Sequence, residues 1–280
     1  MRTGRLIQQT LIYIILSAAL IGFGFPFLLV LLNSFKTNAQ IVDSIVSLPT
    51  SIQFANFAIA MDKMHYLRSL WNTILITFLS VFLISLFASM TAHYFVRNNT
   101  KMNKTFFFVM VSSMIIPFQS IMIPLVSVYG QKLGWIQAQP QLTLIFMYLG
   151  FGSSLSVFIY HGFVKGIPLE LEEATLIDGC NRRQTFFKIV MPILTPTTVT
   201  IGILNILWIW NDYLLPVLIL QNAGQDKLTL LLAVKVFSDT YSTNYEQFLP
   251  AVLMIVLPLF LVYMFAQRYI IQGVTQGAIK

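Results

Sequence analysis

The sequence predicts an all-α fold, an integral membrane bundle of six transmembrane helices. Three observations predict it. Only 10% of the 280 residues are charged while 57% are hydrophobic, with a mean hydropathy of +0.77. A soluble domain carries roughly 25% charged residues, because its surface must face water. Six runs reach the ~20 apolar residues that a helix needs to cross a hydrocarbon core. None of them alternates apolar and polar residues as the strands of a membrane β-barrel do. Disorder, a secreted disulfide scaffold and an ordinary soluble enzyme are poor fits to such a composition. The one cysteine, Cys180, excludes an intrachain disulfide and argues against a cysteine metal site.

The predicted spans are 11–32, 72–96, 106–128, 142–163, 198–220 and 248–267. The first follows Arg2 and Arg5 like a signal peptide, but it runs 22 residues against the ~7–15 of a signal core. No small-x-small cleavage site follows it, so it is expected to be retained. The third holds Pro117 and Pro124, and the sixth Pro250 and Pro258. Each proline removes a backbone donor and tends to kink its helix; the kinks either line a cavity or only shape the bundle. Five spans contain no Asp, Glu, Lys or Arg, and the fifth contains Asp212. Between the spans, 54–70 reads as an interfacial helix. The stretch 228–237 is too short to span and carries Lys235, so it is expected to be re-entrant or to lie on the surface.

Orientation follows from the connections. Segments 1–10, 97–105, 164–197 and the tail from 268 hold 11 Lys and Arg over 66 residues; segments 33–71, 129–141 and 221–247 hold 6 over 79. The denser set belongs on the cytoplasmic side, which puts both termini inside. The net charge of +7 is then a matter of membrane orientation rather than of nucleic-acid binding.

The connection 165–196 is the organised one. Pro168 suits a first helical position, and Glu170, Glu172 and Glu173 follow where carboxylates favour the positive end of a helix dipole. Gly179 can end that helix in a left-handed conformation. Asn181 can cap a second short helix through Phe186, Phe187 and Ile189 that Pro192 stops. A helix, a glycine break and a second helix on the inner membrane face suit docking to a soluble partner. A plain surface loop is the alternative that these residues alone leave open.

Glu173-Ala174-Thr175, then Gly179, then Ile189-Val190-Met191-Pro192 resembles the EAA loop of ABC-importer permeases, in which Glu-Ala-Ala is followed after three residues by Gly and after nine more by Ile-x-Leu-Pro. The spacing matches throughout, and Ile167-Pro168 and Ile177-Asp178-Gly179 also fit. Thr175, Cys180 and Met191 depart from the pattern by size-compatible changes. The resemblance extends over nearly the whole chain and narrows to the maltose- and multiple-sugar-type permeases. Phe25-Pro26-Phe27 with Ser34-Phe35-Lys36 resembles the end of their first helix, and Asn72-Thr73 the start of their second. Ile115-Ile116-Pro117 with Ile123-Pro124 is similar to their third, and Trp210-Asn211-Asp212-Tyr213 with Pro216 to their fifth. Gln267-Arg268-Tyr269 with Gly273 and Gly277-Ala278 resembles their tail.

The resemblance implies one permease domain over 1–280 in a bacterial cytoplasmic membrane, forming half of a pathway for a carbohydrate, an oligosaccharide by family habit. The alternative is an ABC importer permease for a non-sugar solute. It implies a second permease in a heterodimer, two ABC ATPase subunits and an extracytoplasmic sugar-binding protein. The EAA loop would be a coupling helix seated in an ATPase cleft, with Glu172, Glu173, Ala174, Asp178, Gly179, Ile189 and Pro192 as its coupling residues. No cofactor is expected in this chain. It lacks the G-x-x-x-x-G-K-[ST] phosphate loop, so ATP and Mg belong to the partner ATPases.

Asp212 is the one formal charge inside a predicted span, and such charges normally face a cavity or a partner. With Trp210, Asn211 and Tyr213 it forms a candidate translocation site, since aromatic faces beside hydrogen-bonding groups suit sugar rings. An aromatic belt with a helix-packing Asn is the plainer reading. His93 and His161 sit near inner helix ends and read as interfacial; His65 has no partner spacing for a metal. The 12 Met residues read as packing filler. No nucleophile–base or metal motif marks an enzyme. A stand-alone channel or secondary transporter would want several intramembrane charges or repeated broken helices.

Overall fold

A computed structural model of the chain describes residues 2–238 and 244–278, with backbone alone for 2–7, 265–266 and 268–278. Arg2, Arg5, Arg268, Tyr269, Gly273 and Gly277-Ala278 therefore lie outside the described side chains. The described residues are helical with no strand. The chain forms two compact units, Met1–Leu67 with Ala233–Pro258, and Arg68–Leu232 with Leu259–Lys280.

In the first unit α1 (Arg2–Asn33) is apolar on every side over 11–32 and mostly exposed there, with Phe23 81% exposed. A helix hydrophobic all round takes lipid or a partner, not water, as its surroundings. Beyond it come α2 (Asn38–Asp43) and α3 (Ala55–Lys63); α3 takes up only the first part of the 54–70 stretch read as one interfacial helix, whose last residues, from Tyr66, begin the next helix. Lys36 is fully buried there, with no carboxylate partner among the described residues. Its Nζ donates to the Ser44 carbonyl at 3.0 Å, with the Ile45 carbonyl at 3.4 Å and the Ser47 hydroxyl at 3.3 Å. Asn33 and Asn56 add bonds to the Ile45 and Lys36 carbonyls, so the turn backbone is satisfied from within.

The second unit holds most of α4 (Tyr66–Arg97), which starts six residues before the predicted span. It also holds α5 (Lys101–Ser113), α6 (Phe118–Lys132), the turn α7 (Trp135–Ala138) and α8 (Pro140–Val164). After these come α9 (Leu169–Ile177), α10 (Arg182–Ile193), α11 (Thr195–Trp210) and α12 (Leu214–Leu220). The short turn α13 (Leu230–Ala233) follows, and α14 (Tyr245–Ala278) runs on to the end of the described chain with Pro250 and Pro258 inside it.

Four helical stretches are long and apolar enough to cross a bilayer: Gln8–Asn33, Tyr66–Arg97, Pro140–Val164 and Tyr245–Met264. The count reaches six if each of two bent helix pairs is one span. The third predicted span is not one helix. It breaks between Ser113 and Phe118, and α5 and α6 meet at 98°. Pro117 has no N–H to give, and it pushes Ile116 out of the helical region. The fifth is interrupted at Asn211–Tyr213, and its first part turns by 73° from α10 at Leu194.

Lipid removes the usual hydrophobic drive between helices, so small residues and interhelical hydrogen bonds hold a membrane bundle together. The buried stripe of α4 shows this: Ser69, Thr73, Ile76, Ser80, Ile84, Ala88 and Ala92 recur at helical spacing. A Cβ at Gly152 of α8 would stand 2.6 Å from the tip of Ile84 and 2.9 Å from Asn205 Oδ1; only glycine permits so close an approach. Asn205 donates to Ser156 Oγ at 3.2 Å, and Tyr160 donates to Thr198 Oγ1 at 2.9 Å, tying α11 to α8. The stretch 228–232 is packed in rather than laid on the surface. Asn72 donates to the Leu228 carbonyl at 3.0 Å, and the Leu230 amide donates to Thr73 Oγ1 at 2.8 Å.

Candidate functional site

The segment 165–196 folds as a helix pair, and each local device has its reason in the sequence. Pro168 caps α9 from outside the helix, one position earlier than expected, with extended ψ of 136°. At the other end Gly179 has φ +85°. Its amide donates to the Leu176 carbonyl at 3.2 Å, and the Cys180 amide donates to the Thr175 carbonyl at 3.0 Å. These two bonds form a Schellman cap, which satisfies the last carbonyls of the helix. Asn181 and Gln184 then exchange bonds of 2.8 and 2.9 Å in a capping box that starts α10. Pro192 does not stop this helix. A π-helical stretch, Phe186–Val190, precedes it and the helical backbone runs through to Ile193.

One face of the pair is embedded. Phe186, Val190 and Leu194 pack with Ala88 and Ala92 of α4 and with Val157, Tyr160 and Val164 of α8. Thr175 Oγ1 lies 2.9 Å from Thr185 Oγ1 and joins α9 to α10, so the hydroxyl that departs from the Glu-Ala-Ala pattern is used. Glu172 is the anchor. Its side chain is 9% exposed; Oε1 accepts from Arg97 Nε at 2.8 Å and Nη2 at 2.7 Å, and Oε2 lies 2.9 Å from His93 Nε2. Arg97 Nη2 also donates to the Ile167 carbonyl at 2.9 Å. The guanidinium thus grips both the first turn of α9 and the chain leading into it. Arg97 was not singled out from the sequence, and His93 was read as merely interfacial. Their spacing of four residues at the end of α4 was the available signal.

The opposite face is open. Glu173, Ala174, Asp178, Gly179 and Pro192 are exposed and Ile189 half-buried. Leu169, Leu171, Leu176, Phe187 and above all Ile177, 87% exposed, surround them with apolar surface. A groove of about 470 Å³ runs beside them, its walls including Tyr94, Glu173, Arg182, Arg183 and Phe187. Exposed apolar surface rimmed by charge marks a surface where a protein, a membrane or a ligand binds.

The second candidate set is arranged differently from its reading as a charged spot within a span. Asp212 occupies the break between α11 and α12. Its Oδ1 accepts from the Leu214 and Leu215 amides at 3.0 and 3.4 Å, and its Oδ2 accepts from the Tyr148 hydroxyl at 3.0 Å. The carboxylate therefore caps α12 and braces it to α8. Tyr148, which sequence reasoning missed, also meets Trp208 edge-on with ring centres 5.5 Å apart. Trp210 is buried and its indole N–H has no acceptor among the described residues. Asn211 donates to the Leu207 carbonyl of its own helix at 2.8 Å, and Tyr213 is exposed.

A family model described as "binding-protein-dependent transport system inner membrane component" matches residues 58–276. The chain belongs to this family. It is a multi-pass membrane component of a transport system, and its relatives are transport permeases. A probable starch degradation products transport permease of Thermoanaerobacterium thermosulfurigenes is 39% identical over 255 residues, 91% of each chain. The melibiose/raffinose/stachyose import permease of Bacillus subtilis is 33% identical over the full length of both. A multiple sugar-binding transport permease of Streptococcus mutans is 32% identical over 96% of both. The fold is shared with a solved bacterial ABC transporter for import of the acidic polysaccharide alginate. That match has a TM-score of 0.77 at 21% identity, covering 96% of this chain and 98% of that one.

Proposed function

We propose that this chain is one permease of a bacterial ATP-driven carbohydrate importer, working as a single permease domain in the cytoplasmic membrane with both termini inside. It forms half of the pathway with a second permease as a heterodimer. Two ABC ATPase subunits, which bind ATP and Mg, dock beneath it, and an extracytoplasmic binding protein delivers the solute. An oligosaccharide is the solute class that the named relatives support, since starch products, raffinose and stachyose are among their substrates.

The observation that carries the proposal is the division of labour in the α9–α10 pair. Its inner face is bolted to α4 and α8, and its outer face presents Glu173, Ala174, Asp178 and Gly179 among exposed apolar side chains. An element held in this way passes a push on its free face into the helices behind it. ATP-driven closure of the ATPase pair would supply that push. Ile189 and Pro192 support the lever. In the pathway, Asp212 holds the break in shape, while Asn211 and Tyr213 are the open groups that a sugar hydroxyl would meet; buried Trp210 backs them.

The test is reconstitution of the assembled transporter. ATP turnover should rise when sugar-loaded binding protein is added, and Glu173→Lys should abolish uptake while the chain stays assembled in the membrane. Normal uptake by an assembled Glu173→Lys variant would overturn the coupling role.

A further inference from the structure

Away from the coupling pair, a second pocket of about 620 Å³ opens where three helix ends meet. Phe95 and Val96 come from the end of α4, Asn103, Lys104, Phe107 and Phe108 from the start of α5, and His161 and Lys165 from the end of α8. The spans Tyr66–Arg97 and Pro140–Val164 end at this level, so the pocket sits at the depth where a bilayer gives way to its headgroups. No lining residue is acidic. Lys104 and Lys165 are exposed, and among the described residues neither ammonium has a carboxylate within salt-bridge distance. One wall is apolar. The Phe107 and His161 rings stack with centres 4.0 Å apart, and Phe108 is 65% exposed beside Phe106 and Val109, which are also exposed.

We propose that this pocket binds an anionic phospholipid, its phosphate between Lys104 and Lys165 and its acyl chains along the phenylalanine face. Two uncompensated cations call for an anion, and basic pockets between transmembrane helices take acidic headgroups. The adjoining aromatic wall is what distinguishes a lipid from a soluble anion, which would gain nothing from it. The volume is in the range of ordinary ligand sites, about 300–1,000 Å³.

The experiment uses the full-length chain in neutral detergent, titrated with phosphatidylglycerol or phosphatidylcholine and read by native mass spectrometry. The expected result is preferential retention of phosphatidylglycerol. Lys104→Gln with Lys165→Gln should weaken that binding roughly thirtyfold, while the charge-matched pair Lys132→Gln with Lys188→Gln leaves it intact. Undiminished binding by the pocket variant overturns the proposal, and so does displacement of the lipid by inorganic phosphate, which marks a free-anion site. Should the double variant not fold, Phe108→Trp in the native lysine background gives a second reading. Its added fluorescence should be quenched by acyl-brominated phosphatidylglycerol more than by the brominated choline lipid, and equal quenching refutes a specific site.

Discussion

Glu172 and Glu173 are adjacent in sequence, yet one is buried against Arg97 and His93 while the other faces outward. The difference follows from helix geometry, since neighbouring residues sit 100° apart and only one can point at the bundle. Removing one partner of a buried ion pair leaves an uncompensated charge, which costs about 3–5 kcal/mol. Glu172→Ala is therefore expected to loosen the loop, read as faster limited proteolysis between 165 and 196 and a lower melting temperature. Glu173→Ala should leave both readouts unchanged; equal effects of the two would show that the burial is wrong. The carboxylates were legible in the sequence as a first-turn cluster. Which one is buried was not, because His93 lies 79 residues away and is brought close only by packing.

At the scale of elements, the boundaries of α9 and α10 rest on two short motifs. Gly179 needs a left-handed backbone and has open space around its α-carbon. Gly179→Ala therefore tests conformation without a clash, and about 1–2 kcal/mol of local stability should be lost. Asn181→Ala, which removes the cap, should lose about 1 kcal/mol. Hydrogen exchange of the α9 and α10 amides checks both. Gly179→Asn should recover part of the loss, since Asn tolerates that conformation, and a loss as large as that of Ala would assign the effect to something other than backbone strain. The glycine and the capping residue were legible here because they act through local bonds, whereas Pro192 did not end the helix as expected. The breaks at 114–117 and 211–213 were only half legible. Pro117 and Asp212 stood in the sequence, but a hydropathy window averages over them and reports one unbroken span.

At the scale of the whole molecule, the single cysteine offers a direct check of orientation. Cys180 is partly exposed beside Gly179. An impermeant maleimide should label it in inverted vesicles and spare it in right-side-out ones, and the reverse pattern would place the helix pair outside. The sequence by itself determined the fold class, the membrane setting and the helix–glycine–helix form of 165–196. Composition and caps act residue by residue or over one helix turn, so neither needs a partner to be read. Only the tertiary structure decided that Glu172 anchors the loop through Arg97 and His93, and that Asp212 caps a broken helix against Tyr148. It alone also brought Lys104 and Lys165 to one pocket. Each of these juxtaposes side chains from separate helices, and their spacing depends on how closely small residues let those helices approach.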